Sequence, residues 1–181
     1  CARNAERLQS ATAEIQSANP EVRVNGFETD LSLADDIEQL GTQLEHHDLN
    51  IDILVNNAGG PPPGSCDDVA DEQWRQAFDL TMMSTVRSTR LALGQMRAQR
   101  SGRIINITTD SVKQPMPQMV LSNSIRMGVI GWAKTLSNEV ASDGITVNNV
   151  CPGWTRTGRV DQLLRARSKE TGIAPEEIQK A

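Results

Sequence analysis

Few side chains in this sequence could do chemistry. The chain contains no tyrosine, so no phenol can give or take a proton. Its two histidines, His46 and His47, are adjacent. Neighbouring residues do not share a helix face, which argues against a metal pair and against a histidine-based triad. The three cysteines, Cys1, Cys66 and Cys151, show no C-x-x-C or other zinc spacing. Their odd number and wide separation read as reduced thiols. The remaining chemical signal is Asn56-Asn57-Ala58-Gly59, directly after the apolar run Ile51-Asp52-Ile53-Leu54-Val55. Small residues there let a backbone approach a ligand closely, and asparagine amides can bridge neighbouring strand ends.

Such a segment works only if regular elements hold it. Residues 4–18 read as a helix capped by Asn4, with Leu8, Ala11, Ile15 and Ala18 on one face. Asn19-Pro20 ends it. Val22 to Phe27 reads as a strand. A helix from Ser32 to about His46 carries Leu33, Ile37, Leu40 and Leu44 at helical spacing. Residues 51–55 form an apolar run of the buried-strand type. Residues 56–67 are a loop with Gly59, Gly60, Gly64 and Pro61-Pro62-Pro63. A long helix is expected over 71–100, a strand over 103–108, a proline-broken loop over 114–118 and a second long helix over 119–141. A strand over 145–150 ends at Pro152-Gly153, and a short helix follows over 158–170.

Strands alternating with long helices predict parallel strands joined by right-handed crossovers. The expected fold class is α/β, a doubly wound parallel sheet of the Rossmann-like kind with helices on both faces. Ligands in such sheets sit at the carboxyl ends of the strands. At 181 residues the chain fits one domain, 1–181. A net charge of −5 and a pI near 5.1 argue against a nucleic-acid surface. No run of about 18 apolar residues predicts a membrane span. Reduced thiols and no basic-plus-apolar leader point to the cytoplasm. The chain opens on Cys1, and Pro175, Glu176 and Glu177 suit the first turn of a helix near its end. These features lead us to expect an internal piece of a longer protein.

Three segments in order carry more weight than any one. Val55-Asn56-Asn57-Ala58-Gly59 comes first. Gly102-Arg103-Ile104-Ile105-Asn106-Ile107 follows. Gly144-Ile145-Thr146-Val147-Asn148, with Pro152-Gly153, comes last. Here the chain resembles the short-chain dehydrogenase/reductase family over nearly its whole length. It is most similar to the 3-oxoacyl-acyl-carrier-protein reductase-like branch, through Asn57–Gly64 and Gly131-Trp132-Ala133-Lys134-Thr135-Leu136.

The resemblance implies an NAD(P)-dependent oxidoreductase passing hydride between NADPH and a carbonyl or alcohol substrate, such as a 3-oxoacyl thioester. It also implies that the fold is truncated at both ends. The family's first strand and glycine-rich turn, and its last strand, are missing; each gap corresponds to roughly 30–40 residues. Arg3 matches the position that reads the adenosine ribose. A guanidinium there suits a 2′-phosphate, so NADP is favoured over NAD. Asp30 and Leu31 match the adenine contact, although Asp30 also suits the cap region of the next helix. Asn57, Ala58 and Gly59 match the floor under the adenosine. Pro152, Gly153 and Thr157 match the stretch that holds the nicotinamide carboxamide. Residues 154–181 match a substrate lid. The helices at 71–100 and 119–141 match an oligomer interface, with Trp132, Leu136 and Val140 as an apolar stripe that core packing would explain equally, so a homodimer or homotetramer is expected from the resemblance alone.

The catalytic positions of the resemblance are altered at every point. Thr81 stands for the asparagine, Thr109 for the serine, Ser122 for the tyrosine and Arg126 for the lysine. Thr109 keeps a hydroxyl, and Arg126 keeps a positive charge and can hold ribose hydroxyls. Ser122 is the serious loss, because an aliphatic hydroxyl is a far weaker acid than a phenol of pKa about 10. Three readings follow. A water held by Ser122, Thr109 and Arg126 supplies the proton; or Asp110 or Lys113 does; or the protein is a dinucleotide-binding pseudoenzyme that acts as a sensor or partner subunit.

Overall fold

A computed structural model describes residues 1–153, 155 and 158–178 of the chain. The first helix, α1 (Ala5–Ala18), starts where expected. Asn4 is its N-cap, and the Asn4 side-chain oxygen accepts from the Arg7 N–H at 2.8 Å. Its inward face is not the expected one. Leu8, Thr12 and Gln16 are half-buried, whereas Ala11 and Ala18 are exposed and Ile15 is 53% exposed. The reason is Gly26: a Cβ added there would meet Thr12 Cγ2 at 2.9 Å and Leu8 Cγ at 3.1 Å. The helix thus packs on a side-chain-free spot of the following segment.

The expected strand at 22–27 is not formed. One parallel bridge pairs Ala2 with Glu28. Its bonds run from Ala2 N–H to Phe27 O at 3.2 Å and from Thr29 N–H to Ala2 O at 3.0 Å. A strand is defined by its ladder, and here the ladder is one residue long. Helix α2 (Ala34–His46) follows, two residues later than Ser32, and buries Ile37 and Leu40.

Three apolar runs become strands β1 (Ile53–Asn56), β2 (Gly102–Ile107) and β3 (Ile145–Val150). They lie parallel in the order β1-β2-β3. The register aligns Leu54, Ile104 and Val147 in one row, and Asn56, Asn106 and Asn149 in another. The first crossover contains α3 (Asp71–Phe78) and α4 (Ser84–Ala98), the second α5 (Val120–Val140). Both crossovers step in the same direction, so right-handedness puts α4 and α5 on one face. That face holds the core of Ala92, Leu93, Met96, Ile104, Leu136, Val140 and Ile145. Each large side chain buried there contributes about 1.5–3 kcal/mol. Leu136 and Val140 belong to this core and Trp132 packs against it, so the apolar stripe of α5 faces inward. On the other face Ile53, Val55 and Val150 are 61%, 53% and 46% exposed.

The expected helix over 71–100 is interrupted. Residues Asp79–Met83 form a π-helical turn between α3 and α4. Such turns leave carbonyls poorly paired, and hydroxyls one turn on take them up. Ser84 Oγ donates to the Leu80 carbonyl and Thr85 Oγ1 to the Thr81 carbonyl. Residues 152–181 make a separate unit. In it α6 (Gly158–Thr171) stops at Gly172, whose φ of 71° suits glycine after a helix. A one-turn helix, α7 (Pro175–Ile178), begins at the expected proline.

Candidate functional site

Parallel strands end together, and here their ends carry amides. Asn56 Nδ2 donates to Asn106 Oδ1 at 2.9 Å, and Asn106 Nδ2 donates to Asn149 Oδ1 at 3.1 Å. Asn56 Nδ2 also reaches Thr89 Oγ1 on α4 at 3.2 Å. Asn106 and Thr89 are 1% and 0% exposed. The bridging role expected for an asparagine after the apolar run thus belongs to Asn56. Its partners Asn106 and Asn149 stood in the sequence without a signal of their own, since only the strand register aligns them.

Arg126 lies on α5 above this row. Its Nη1 donates to the Ile107 carbonyl at 2.9 Å and to the Thr108 carbonyl at 3.4 Å. It therefore ties the end of β2 to α5. Burial pushes the guanidinium below its ordinary value, but arginine remains a cation. Thr81, in the π-helical turn, is 4% exposed, and its hydroxyl is buried without a hydrogen-bond partner among the described residues. A cavity of about 10 Å³ has both Thr81 and Arg126 in its lining, beside Asn56, Thr85, Asn106 and Thr108. That is room for one water at most.

The other two catalytic candidates stand differently. Thr109 is the N-cap of a single 3-10 turn, Asp110–Val112. Its hydroxyl donates to Asp110 Oδ1 at 3.1 Å and accepts from the Ser111 N–H at 3.4 Å. Ser122 is 6% exposed on α5, one turn before Arg126. Neither Thr109 nor Ser122 lines the cavity shared by Thr81 and Arg126. Asp110 is half-buried and Lys113 exposed.

Of the cofactor candidates in the first 151 residues, all but Arg126 gather in one place. Arg3, Asp30, Leu31, Asn57, Ala58 and Gly59 all line one cavity of about 220 Å³, together with Leu80. It lies beyond the carboxyl end of β1. Arg3 Nη1 stands 3.6 Å from Asp30 Oδ2 and is largely exposed. Asp30 has both roles considered for it. Its Oδ1 accepts from the Ser32 N–H at 2.9 Å and the Ser32 hydroxyl at 2.7 Å, and it also faces Arg3. Burial pushes its carboxyl up, but the Ser32 hydrogen bonds and Arg3 outweigh that and hold it below the usual range. A Cβ added at Gly59 would meet nothing within 4 Å, so the space above it is open to a ligand. Pro152 is half-buried and Gly153 exposed, and both belong to the separate unit. Thr157 lies outside the described residues.

Among the described residues no cluster of histidine, cysteine or carboxylate side chains is placed to hold a metal. No described helix is long and apolar enough to cross a membrane. Two residues escaped the sequence reading. Ser111 and Asn123 each bury an oxygen without a partner. Only the folded structure, which fixes what their neighbours bond to, could identify them.

Comparison with known proteins places the chain. The short chain dehydrogenase family model matches residues 1–168. The D-beta-hydroxybutyrate dehydrogenase of Cupriavidus necator is 32% identical over 171 residues, covering 94% of this chain and 66% of that protein. The 3-oxoacyl-acyl-carrier-protein reductase of a Synechocystis species is 34% identical over 160 residues, covering 86% and 64%. This chain therefore spans less than two thirds of either relative. Among solved structures, a variant of actinorhodin polyketide ketoreductase with NADPH is 33% identical with a TM-score of 0.91, covering 98% of this chain and 68% of that one. L-sorbose reductase from Gluconobacter frateurii, complexed with NADPH and L-sorbose, is 29% identical with a TM-score of 0.87, covering 94% and 65%. With its parallel sheet, its site at the strand ends and a family match over most of its length, the chain belongs to the short-chain dehydrogenase family.

Proposed function

We propose that the whole protein is an NADP-dependent oxidoreductase that interconverts a carbonyl and an alcohol, with a 3-oxoacyl thioester as the favoured substrate class. The observation that carries this is the single cavity joining Arg3, Asp30, Leu31, Asn57, Ala58 and Gly59. Its volume is below the roughly 300–1,000 Å³ of a complete small-molecule pocket, so it suits one part of a dinucleotide. The residues fit that part. Arg3 offers a planar, permanently charged fork for a 2′-phosphate, and Asp30 steadies that fork. Asn57, Ala58 and Gly59 let the backbone approach closely. Pro152, Gly153 and Thr157 are assigned to the carboxamide end, and residues 154–181 to a lid. The NADPH complexes of two relatives agree with this choice over NAD.

When bound, the reduced nicotinamide supplies a hydride. The chain must then position a carbonyl and provide a proton. Arg126 is held by the Ile107 and Thr108 carbonyls, and its remaining donors are assigned to the ribose. Thr109 is assigned to positioning the substrate oxygen and Ser122 to the same side, while Thr81, which shares its small cavity with Arg126 and not with them, is assigned to the relay behind Arg126. With no phenol in the chain, the proton is assigned to a water held by Ser122, Thr109 and Arg126, with Asp110 or Lys113 as the alternative donor. A homodimer or homotetramer formed through α3–α4 and α5 completes the proposal.

One observation favours a second reading, a pseudoenzyme that binds the dinucleotide without turnover. The Thr109 hydroxyl is already committed to Asp110 and the Ser111 N–H. Binding tests what both readings share. Titration calorimetry on the whole protein is expected to show NADPH bound more tightly than NADH, with Arg3→Ala losing about 10–100-fold for NADPH and little for NADH. Equal losses for both cofactors would remove Arg3 from the 2′-phosphate.

A further inference from the structure

The turn that carries Asp30 and Leu31 is held from two sides. On one side, Thr29 N–H donates to the Ala2 carbonyl at 3.0 Å, and Asp30 N–H donates to Asp36 Oδ2 on α2 at 2.8 Å. On the other side stands Arg87 of α4. Its Nη1 donates to the Ser32 carbonyl at 3.3 Å, and its Nη2 donates to Asp79 Oδ1 at 3.3 Å. Packing puts it there. A Cβ added at Gly41 of α2 would stand 2.6 Å from Leu91 Cδ1, so α4 seats Leu91 on bare backbone of α2. Arg87 lies one turn before Leu91 on the same helix face and reaches the turn that precedes α2.

Both partners of Arg87 bear on the nucleotide end of the site. The Ser32 N–H and hydroxyl donate to Asp30 Oδ1 at 2.9 and 2.7 Å, and Asp30 Oδ2 faces Arg3 Nη1 at 3.6 Å. Asp79 opens the π-helical turn, whose next residue, Leu80, lines the 220 Å³ cavity with Arg3, Asp30 and Leu31. Arg3, Ser32, Asp79 and Leu80 also line a neighbouring cavity of about 400 Å³. A continuous polar chain thus runs from Arg3 through Asp30, Ser32 and Arg87 to Asp79. Arg87 itself lines neither cavity. The Arg87 side chain is 24% exposed and that of Asp79 44%, so the ion pair alone is worth little. What matters is the geometry, in which one planar fork joins two segments.

We propose that Arg87 is a positioning residue for cofactor selection. It fastens the Ser32 end of the turn to the π-helical turn, so that Asp30 holds the Arg3 fork where a 2′-phosphate would meet it. The inference rests on the proposed NADP reading. Thr29 and Asp36 hold the start of the turn without Arg87, so the adenine contact at Asp30 and Leu31 does not depend on it. Lysine at position 87 would keep a charge for Asp79, but its single nitrogen cannot stand where both nitrogens of the fork do.

The test is titration calorimetry on the whole protein with NADPH and with NADH. Wild type, Arg87→Met, Arg87→Lys, Arg3→Ala and the Arg3→Ala/Arg87→Met double variant are compared. Arg87→Met is expected to weaken NADPH about 5–10-fold and to leave NADH within about 2-fold. Arg87→Lys recovers part of the loss, and it carries the same comparison should Arg87→Met fail to fold. In the Arg3→Ala background Arg87→Met costs no further discrimination, because the fork it positions is gone. A merely structural role would weaken both cofactors alike. That result, or additive losses of discrimination in the double variant, would overturn the proposal. A preference for NADPH that Arg3→Ala abolishes and Arg87→Met keeps would overturn the proposal alone. Wild type without a preference for NADPH would overturn it together with the NADP reading.

Discussion

Replacing Asn106 by leucine is expected to destabilise the protein by about 3 kcal/mol. For a chain of this size that lowers the melting temperature by roughly 6–12 °C. The side chain is 1% exposed and is the middle member of the asparagine row. Leucine keeps the branching and heavy-atom count of asparagine, although its methyl groups are bulkier and add some overpacking. Two hydrogen bonds are lost. Asn149 Oδ1 loses the Asn106 amide as its donor, while Asn56 Nδ2 keeps Thr89 Oγ1 at 3.2 Å. The cost is therefore desolvation left unrepaid, which exceeds the worth of the bonds themselves. Thermal melts of Asn56→Leu, Asn106→Leu and the double variant separate these effects. The double variant should be more stable than the sum of the singles predicts, by about 1 kcal/mol. Strict additivity would show that the row is not a network.

A comparable loss, about 3–5 kcal/mol, is expected for Gly144→Ala. Gly144 has a φ of 73°, and a Cβ there would stand 2.3 Å from the Arg100 carbonyl oxygen. That contact is with backbone, so no rotamer change relieves it. The site also joins the ends of two helices. Arg100 Nη2 donates to Ser142 O at 2.9 Å, and Arg97 Nε to Asp143 Oδ2 at 3.2 Å. A shifted residue 144 would disturb the entry to β3. Gly94→Ala in α4 is the control, because a Cβ there meets nothing within 4 Å. It should stabilise the protein by about 0.5–1 kcal/mol. A melt in which Gly144→Ala matches wild type would contradict this account of the turn.

The parallel sheet was legible because short apolar runs alternate with long helical patterns. Six of the ten cofactor candidates, named through the resemblance, line one cavity, whereas Arg126, Pro152 and Gly153 do not and Thr157 lies outside the described residues. What escaped depends on tertiary context. Val22 to Phe27 has strand composition, but pairing needs a neighbour, and only Ala2 lies alongside. Periodicity gave α1 a face through Ile15, yet Gly26 turned Leu8 and Thr12 inward. The π-helical turn that carries Thr81 left no trace in a pattern of 3.6-residue spacing. Ser111 and Asn123 look like ordinary loop and helix polar residues until their buried oxygens are matched against possible partners.

The measurement that bears most directly on the central claim is NADPH oxidation by the whole protein. A 3-oxoacyl thioester and a panel of small ketones would be offered, with Arg126→Ala and Arg126→Lys assayed alongside. The account predicts turnover by wild type, its loss in Arg126→Ala, and partial recovery in Arg126→Lys, which keeps the charge but not the fork. NADPH binding without turnover on any substrate would contradict a reductase and leave the pseudoenzyme.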